Sequence, residues 1–199
     1  MKLVPAVDLD ADQLGQVQAI YEDAFEASLR SPLDNLLRDQ VYVLTDGRTP
    51  RGFAVLRVLG PTGWVYLRYL AAGPRGQGLG STLWTHLIEA MTEAGHSRII
   101  WDVEDPDEPG TDPPEQQIRT RRIGFYTRLG GQLLPVDGYQ MPMETDNHPM
   151  RLMASDLSVV PALVGDELRA VVTGVYRYRY GLDEGHPLVQ ETLRVSGLR

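Results

Sequence analysis

Hydrophobic and polar residues follow a helical period in the first part of the chain. Asp10 followed by Gln13 is typical of a helix start, because each side chain can accept a hydrogen bond from the other residue's backbone N–H. Apolar and small residues then recur every three or four positions, which predicts a helix to about Leu29. The residues on this stripe are Leu14, Val17, Tyr21, Ala24 and Ser28. A short strand over Lys2–Leu9 precedes the helix, and a short helix over Leu33–Arg38 follows it.

The middle of the chain changes from a strand pattern to a helix pattern. Three segments rich in β-branched and aromatic residues are separated by turn-forming residues, which predicts an antiparallel meander. These strands are Val41–Thr45, Gly52–Leu59 and Trp64–Ala72. An amphipathic helix from about Gly80 to Ala94 and a buried strand over Ser97–Val103 follow, and a strand–helix–strand unit of this length indicates a parallel strand pair.

Residues 102–117 interrupt the regular pattern. They hold seven acidic residues, four prolines and no basic residue, so the segment is predicted to be a loop. A helix over Glu115–Leu129 follows, and then a hairpin between Gln132–Leu134 and Met150–Ala154. Beyond Ser155 the pattern is again helical, which predicts a main domain over residues 1–155 and a helical C-terminal extension over 156–199. Within that extension Tyr176 and Tyr180 share one helix face, which favours packing against the main domain over a base-stacking or dimer contact.

Composition narrows the possible classes of protein. The 199 residues include no cysteine, which excludes disulfide scaffolds, thiolate metal sites and a cysteine nucleophile. The net charge of -8 argues against binding to nucleic acid or to an anionic membrane surface. No apolar stretch approaches the length of a membrane span or of a signal peptide, so we expect a cytoplasmic protein. The histidines lack ligand spacing, so no metal is expected; they are His86, His96, His148 and His186.

The most informative motif is a glycine-rich turn between the third meander strand and the following helix. Glycines let backbone N–H groups converge at the positive end of a helix, which makes a ready site for a pyrophosphate. Gly76, Gly78 and Gly80 have the spacing Gly-x-Gly-x-Gly, which differs from a dinucleotide-binding fingerprint. A phosphate-binding loop of the nucleotide hydrolases needs a lysine, and this turn has none. Arg75 adds a cation, and Ser81 and Thr82 add hydroxyl donors.

Two segments together carry a family resemblance. Arg75-Gly76-Gln77-Gly78-Leu79-Gly80 resembles the Gln/Arg-x-x-Gly-x-Gly/Ala signature of the GNAT superfamily of acetyl-CoA-dependent N-acetyltransferases. Ile123–Gly131, which contains Phe125-Tyr126, resembles the later helix of that family. The resemblance covers about residues 1–155. It implies an α/β (α+β) acyl-CoA N-acyltransferase fold, in which a mixed, mostly antiparallel sheet is flanked by helices.

The resemblance also implies roles for individual residues. The backbone of Leu70, Ala71 and Ala72 would bind the pantetheine arm as an added strand. The turn and the start of the helix would hold the pyrophosphate, through Arg75, Gly76, Gln77, Gly78, Leu79, Gly80, Ser81 and Thr82. Tyr126 would protonate the leaving thiolate; packing as a core aromatic is the alternative interpretation.

An amine acceptor arrives protonated, so the reaction needs a base. Asp102 and Glu104 project to the same side of a strand at the position where the family places an acidic residue. Asp102 is the first candidate, Glu104 the second, and a water relay the third; both acids are equally consistent with a solvated loop. Glu22 and Glu26 are weaker candidates for acceptor binding. Arg119 stands where many family members have asparagine, and it could bind a phosphate or pair with the acidic loop.

The resulting hypothesis is an enzyme that moves an acetyl group from acetyl-CoA directly to a primary amine of a small molecule or peptide. No cysteine is present to form a thioester, so transfer through a ternary complex is expected. The acids of residues 102–117 would attract a polycationic acceptor or simply be solvated. One alternative is a non-catalytic module that binds or senses acyl-CoA on the same fold. The other is a structural role led by the C-terminal extension, such as a homodimer contact.

Overall fold

The computed structural model describes residues 1–27, 30–74, 76–143, 147–156 and 163–198. The chain forms two compact units, one of Met1–Arg57 with Leu67–His96 and one of Val58–Tyr66 with Ser97–Arg199. Strand β4 (Val65–Ala72) contributes its first two residues to the second unit and the rest to the first. The domain boundary expected near residue 155 stays a prediction, and residues 157–162 lie outside the described part.

The first unit contains the start of the chain, the meander and the helix that follows it. Its elements are β1 (Lys2–Pro5), α1 (Ala11–Ala24), α2 (Leu33–Leu36), β2 (Gln40–Asp46), β3 (Thr49–Val58), most of β4 and α3 (Leu79–Glu93). The strands lie in the order β1-β2-β3-β4, with β2 antiparallel to both β1 and β3. One face of this sheet buries an apolar core against α1, which includes Val17, Tyr21 and Phe53.

The predicted helix start is confirmed in this unit, whereas the first strand and the first helix end earlier than predicted. The Asp10 and Gln13 capping box is present, with hydrogen bonds of 2.9 and 3.1 Å. The first strand ends at Pro5 instead of Leu9, because the chain turns into a 3-10 helix over Ala6–Asp8. Helix α1 ends at Ala24, because Phe25 leaves the helical conformation and packs its ring 5.0 Å from that of Tyr69. Ser28 and Leu29 lie outside the described residues.

The second unit contains the later strands and the C-terminal helices. Its elements are the start of β4, β5 (Arg98–Glu104), α4 (Pro113–Arg128), β6 (Gln132–Leu133), β7 (Gln140–Met141), β8 (His148–Asp156), α5 (Gly165–Gly174), a π-helical turn (Val175–Arg179) and α6 (Pro187–Val195). The predicted parallel pair is confirmed, since β4 joins β5 at Val65–Ile99 and Tyr66–Ile100. Strand β8 lies antiparallel to β5, and both β6 and β7 pair with β8.

The loop predicted for residues 102–117 is shorter in the structure. Strand β5 continues to Glu104, and α4 already begins at Pro113. Two prolines are tolerated there because the first helical residues need no intrahelical N–H partner. Asp112 caps this helix, since its Oδ1 accepts a hydrogen bond of 2.8 Å from the backbone N–H of Glu115. Strand β7 was not predicted.

The C-terminal helices pack against the strands of the second unit. Leu168, Val172 and Tyr176 share one buried cluster with Trp64 and Ile100. The predicted helical character of the extension is confirmed over Gly165–Gly174, Val175–Arg179 and Pro187–Val195, and the apolar residues of these helices belong to the core. None of the helices in the described ranges has the length and apolar character needed to cross a membrane.

Candidate active site

The glycine-rich turn leads directly into α3. Gly76 and Gly78 have positive φ angles of 84° and 71°, a conformation that strains any residue with a Cβ. Gly78 is the N-cap of α3 and supplies no capping side chain. The backbone N–H groups of Leu79, Gly80 and Ser81 precede any intrahelical acceptor, so they are available to an anion. A Cβ at Gly76 or Gly78 would meet no atom within 4 Å, which shows that the turn borders open space.

Close backbone contacts fix the strand end that precedes this turn. A Cβ on Gly52 would lie only 2.7 Å from the carbonyl oxygen of Ala71, so glycine is required on β3 at this point. One residue after β4, the N–H of Gly73 donates a hydrogen bond of 2.6 Å to the carbonyl oxygen of Arg51. These contacts hold the end of β4 against β3, and they set the direction in which the turn starts.

The remaining residues expected to bind the cofactor differ in their surroundings. Gln77 and Ser81 are exposed, whereas Leu79 is buried and anchors the start of α3. The Thr82 hydroxyl donates to the Gly78 carbonyl oxygen at 3.3 Å, so it already has a partner within the helix. Leu70 and Ala72 are half-buried. Arg75 lies outside the described residues.

Tyr126 lies on α4 and is buried. Its ring packs 4.9 Å from Trp101 on β5 and 5.1 Å from Phe125. Burial raises the pKa of Tyr126 to about 12, while the positive charge of Arg122 lowers it and the negative charge of Asp102 raises it further. The hydroxyl therefore keeps its proton at neutral pH, and it is within electrostatic reach of the candidate base.

Asp102 lies on β5 within a cluster of tyrosines. Its Oδ2 accepts hydrogen bonds from the hydroxyls of Tyr180, at 2.9 Å, and Tyr139, at 3.2 Å. The Tyr66 hydroxyl lies 3.4 Å from that of Tyr180. Burial raises the pKa values of all three tyrosines, and the charge of Asp102 raises them further. Each hydroxyl therefore stays protonated and can serve as a donor.

Glu104 has a different environment from Asp102, although both lie on β5. Its carboxylate forms an ion pair with Arg122 on α4. An arginine partner holds a carboxylate in its charged form but occupies the lone pairs that would accept a proton from an amine. Of the two predicted bases, Glu104 has an arginine partner, whereas Asp102 accepts hydrogen bonds from neutral hydroxyls.

The acidic segment is largely neutralised by its own surroundings. Arg119 pairs with Glu108 at 2.6 Å and Glu115 at 3.1 Å, and it donates to the carbonyl oxygen of Asp105 at 2.8 Å. Arg151 lies 3.6 Å from the Asp105 carboxylate. Arg119 therefore pairs with the acidic segment, which was one of the two roles considered for it. Most of the seven acids have partners within the protein, which weakens the case for this segment as a polycation site.

Glu22 and Glu26 lie at the end of the first helix in the other unit. Glu22 is exposed and accepts a hydrogen bond of 2.8 Å from Gln18, one turn earlier. Glu26 is exposed and lies two residues beyond the end of α1. Among the described residues, no group of three or more histidine or acidic side chains could hold a metal ion.

Sequence reasoning missed the tyrosines around Asp102. Tyr180 belongs to the aromatic segment noted in the extension, but its partner could not be read from helix spacing. Tyr139 lies between β6 and β7 and carries no local signal. A polar side chain on a buried strand needs hydrogen-bond partners. That general rule was the one indication that donor groups would surround Asp102, and it did not identify them as tyrosine hydroxyls.

Comparison with known proteins identifies the class. The model of the acetyltransferase (GNAT) family matches residues 13–130, which is more than half of the chain, so the protein belongs to this family. No curated protein matches the chain. The fold, a mixed and mostly antiparallel sheet flanked by helices, is the one these acetyltransferases share.

Solved structures show the same fold at low sequence identity. A Bacteroides thetaiotaomicron protein assigned to the GNAT acetyltransferases is 21% identical, with a TM-score of 0.71, over 92% of this chain and 100% of that one. The aminoglycoside 6'-N-acetyltransferase of Enterococcus faecium is 16% identical, with a TM-score of 0.61, over 81% and 99%. A GNAT acetyltransferase of Elizabethkingia anophelis with acetyl-CoA bound is 12% identical, with a TM-score of 0.53, over 78% and 97%.

Proposed function

We propose that this protein is an N-acetyltransferase that moves the acetyl group of acetyl-CoA directly to a primary amine of a small molecule or peptide. The observation that carries the proposal is the uncapped glycine turn at the start of α3, inside the segment that matches the acetyltransferase family. Direct transfer follows from the absence of cysteine, since no thiol is available to carry the acetyl group.

The turn before α3 suits the pyrophosphate of acetyl-CoA. Gly76 and Gly78 place backbone N–H groups beside open space, and the helix adds the positive end of its dipole. In this proposal Gly76 to Gly80 hold the pyrophosphate, with Arg75 and Ser81 as further contacts. The backbone of Leu70, Ala71 and Ala72 binds the pantetheine arm.

Tyr126 is proposed as the general acid. Its phenol keeps its proton well above neutral pH, because burial raises its pKa to about 12. A thiol has an ordinary pKa of about 8.5, so the phenol is the weaker acid and full proton transfer to the thiolate is uphill; the phenol assists departure by donating a hydrogen bond to the negative charge that develops on the sulfur. Arg122 makes this transfer easier, since its charge lowers the pKa of Tyr126.

Asp102 is proposed as the general base. An ammonium acceptor has a pKa near ~10, so only about a thousandth of it is nucleophilic at pH 7. The carboxylate of Asp102 takes the proton directly or through a water molecule, and hydrogen bonds from the hydroxyls of Tyr139 and Tyr180 hold the carboxylate in place. Glu104 is the second candidate, and its pairing with Arg122 makes it the weaker one.

The experiment that tests the proposal is release of free coenzyme A from acetyl-CoA in the presence of a panel of amines. The panel contains spermidine, an aminoglycoside, a peptide with a free N-terminus and a lysine-containing peptide with a blocked one. We expect release to depend on one class of amine. Calorimetry of acetyl-CoA binding is run beside it, because tight binding without turnover on any amine would support the non-catalytic module instead.

A further inference from the structure

The C-terminal extension contacts the candidate base. Tyr180 directly follows the π-helical turn Val175–Arg179, and its hydroxyl donates a 2.9 Å hydrogen bond to Oδ2 of Asp102. Position 180 lies 50 residues beyond the segment that matches the family model. A residue outside the recognised family segment therefore reaches the centre of the proposed chemistry.

The hydroxyls of Tyr139 and Tyr180 bind the same oxygen of Asp102. Tyr139 also donates to Oδ2, at 3.2 Å, and the Tyr66 hydroxyl is a further hydrogen-bonding neighbour of this carboxylate. Asp102 is half-buried, whereas Tyr66 and Tyr139 are 1% exposed. The carboxylate is thus held from its buried side while part of the residue stays accessible.

Tyr180 is itself fixed by neighbouring groups. Its hydroxyl lies 3.4 Å from that of Tyr66, and the guanidinium of Arg179 lies 4.8 Å from its ring centroid and 6.0 Å from that of Tyr66. One turn earlier, the Tyr176 hydroxyl lies 2.9 Å from the Thr192 hydroxyl on α6. A π-helical turn adds a residue to one turn of helix, a feature frequent at functional sites.

We propose that Tyr180, with Tyr139, is a positioning residue for the deprotonation of the acceptor amine. The two hydroxyls hold Oδ2 of Asp102 and orient the carboxylate so that it can receive the proton of the acceptor amine. The C-terminal extension is then part of the catalytic apparatus of this protein. This inference rests on the proposed function, because it assigns Asp102 the role of base.

Other titratable and charged groups also surround Asp102, and the test has to separate Tyr180 from them. The charge of Asp102 raises the pKa values of five tyrosines, which are Tyr66, Tyr126, Tyr139, Tyr176 and Tyr180. Arg179 lies over the ring of Tyr180, and Arg122 pairs with Glu104 on the same strand as Asp102. Tyr178 lies on the same turn as Tyr180, but its ring packs beside Gly60 and under Arg177. Tyr178→Phe is therefore a matched control that removes one hydroxyl from the same segment.

The first test does not depend on activity. The carboxyl carbon of Asp102 is followed by 13C NMR during a pH titration of the full chain, and assigned by its loss in Asp102→Asn. Removing a donor to the charged carboxylate makes protonation easier, so the midpoint is expected to move to higher pH in Tyr180→Phe and in Tyr139→Phe. Tyr178→Phe should leave the midpoint in place.

The second test is a double-mutant cycle in kcat/KM for the best amine of the panel. We expect Tyr180→Phe to lower kcat/KM about tenfold, mainly through kcat, as for loss of a hydrogen bond to a charged group. In an Asp102→Asn background the same change should have almost no further effect, because Tyr180 acts through Asp102. A purely structural role would give the same fold-loss in both backgrounds and a lower melting temperature.

The outcomes separate this inference from the proposed function. A moved midpoint together with non-additive losses supports the positioning role. The positioning role is overturned, even when the wild type is active, by an unmoved midpoint. It is also overturned if Tyr180→Phe lowers kcat/KM by the same factor in the Asp102→Asn background as in the wild type. A wild type that turns over no amine contradicts the proposed function instead, while the NMR titration still reports whether Tyr180 stabilises the charged carboxylate.

Discussion

At the scale of single residues, the proton on Tyr126 is the central feature of the proposed mechanism. We predict that Tyr126→Phe lowers kcat by about 100-fold, the usual contribution of a general acid. The affinity for acetyl-CoA should change by less than about twofold, because the ring still packs against Trp101. Steady-state kinetics and calorimetry on the same preparation measure the two quantities.

The Tyr126 prediction has a clear opposite result. Equal kcat values for the wild type and Tyr126→Phe would remove this hydroxyl from the mechanism. Parallel losses in kcat and in melting temperature would assign Tyr126 to the core instead, as its burial also permits.

The two acids of β5 form a matched pair. Asp102→Asn is expected to lower kcat/KM by about 100-fold, because the base is lost while the side chain keeps its size. Glu104→Gln should cost less than about fivefold, since its ion pair with Arg122 is partly exposed and such pairs contribute little. Kinetics of both variants with one amine decide between them, and a larger loss in Glu104→Gln would reverse the assignment.

At the scale of elements, the start of α3 and its end provide a controlled comparison. Gly78 and Gly95 both have positive φ, at 71° and 82°, and a Cβ at either would meet open space. Each change to alanine should lower the free energy of unfolding by about 1 kcal/mol. Only Gly78→Ala is expected to weaken acetyl-CoA binding, by about tenfold. It strains the backbone that carries the uncapped N–H groups, and it places a methyl group beside them.

Calorimetry of acetyl-CoA binding, with denaturant unfolding as the stability measurement, tests this comparison. Equal affinities in Gly78→Ala and Gly95→Ala would show that the turn before α3 does not bind the cofactor. Equal stability losses with unequal affinities are the expected result.

Most elements could be predicted because their signals are local. The Asp10 capping box, the meander and the strand–helix–strand unit each follow from side chains a few residues apart. Pro113 and Pro114 misled the prediction for residues 102–117, because prolines that break a helix interior are accepted at its first positions. Strand β7 has two residues and exists through its pairing with β8, which local sequence does not specify.

The glycine turn and Tyr126 came from motifs, whereas the surroundings of Asp102 did not. Tyr139 and Tyr180 reach Asp102 across 37 and 78 residues of sequence, respectively. Likewise, Arg119 pairs with Glu108 through tertiary structure, so the apparent excess of acid in this segment is reduced by basic residues that lie outside it. Such contacts depend on packing, and a single sequence records no trace of them.

At the scale of the whole molecule, the buried tyrosines predict alkaline sensitivity. Burial raises the pKa of Tyr126 to about 12, and it raises those of Tyr66, Tyr139 and Tyr180 as well. In the unfolded chain these groups ionise near pH ~10, so their contribution to stability is complete below that pH. The free energy of unfolding should then fall as the pH rises from about 10 to about 12.

Denaturant unfolding at pH 9, 10 and 11 measures this effect. The fall should be smaller in Tyr180→Phe than in Tyr178→Phe, because the former removes a buried ionisable hydroxyl. A stability that stays constant to pH 11 in the wild type would contradict the burial of this cluster.

The central claim is that this protein joins the acetyl group of acetyl-CoA to an amine. Mass spectrometry of the amine panel after incubation with acetyl-CoA and the protein tests it most directly. The account predicts that one class of amine gains a single acetyl group, at a rate that falls sharply in Tyr126→Phe and Asp102→Asn. Acetyl-CoA that binds while every amine keeps its original mass would contradict the account.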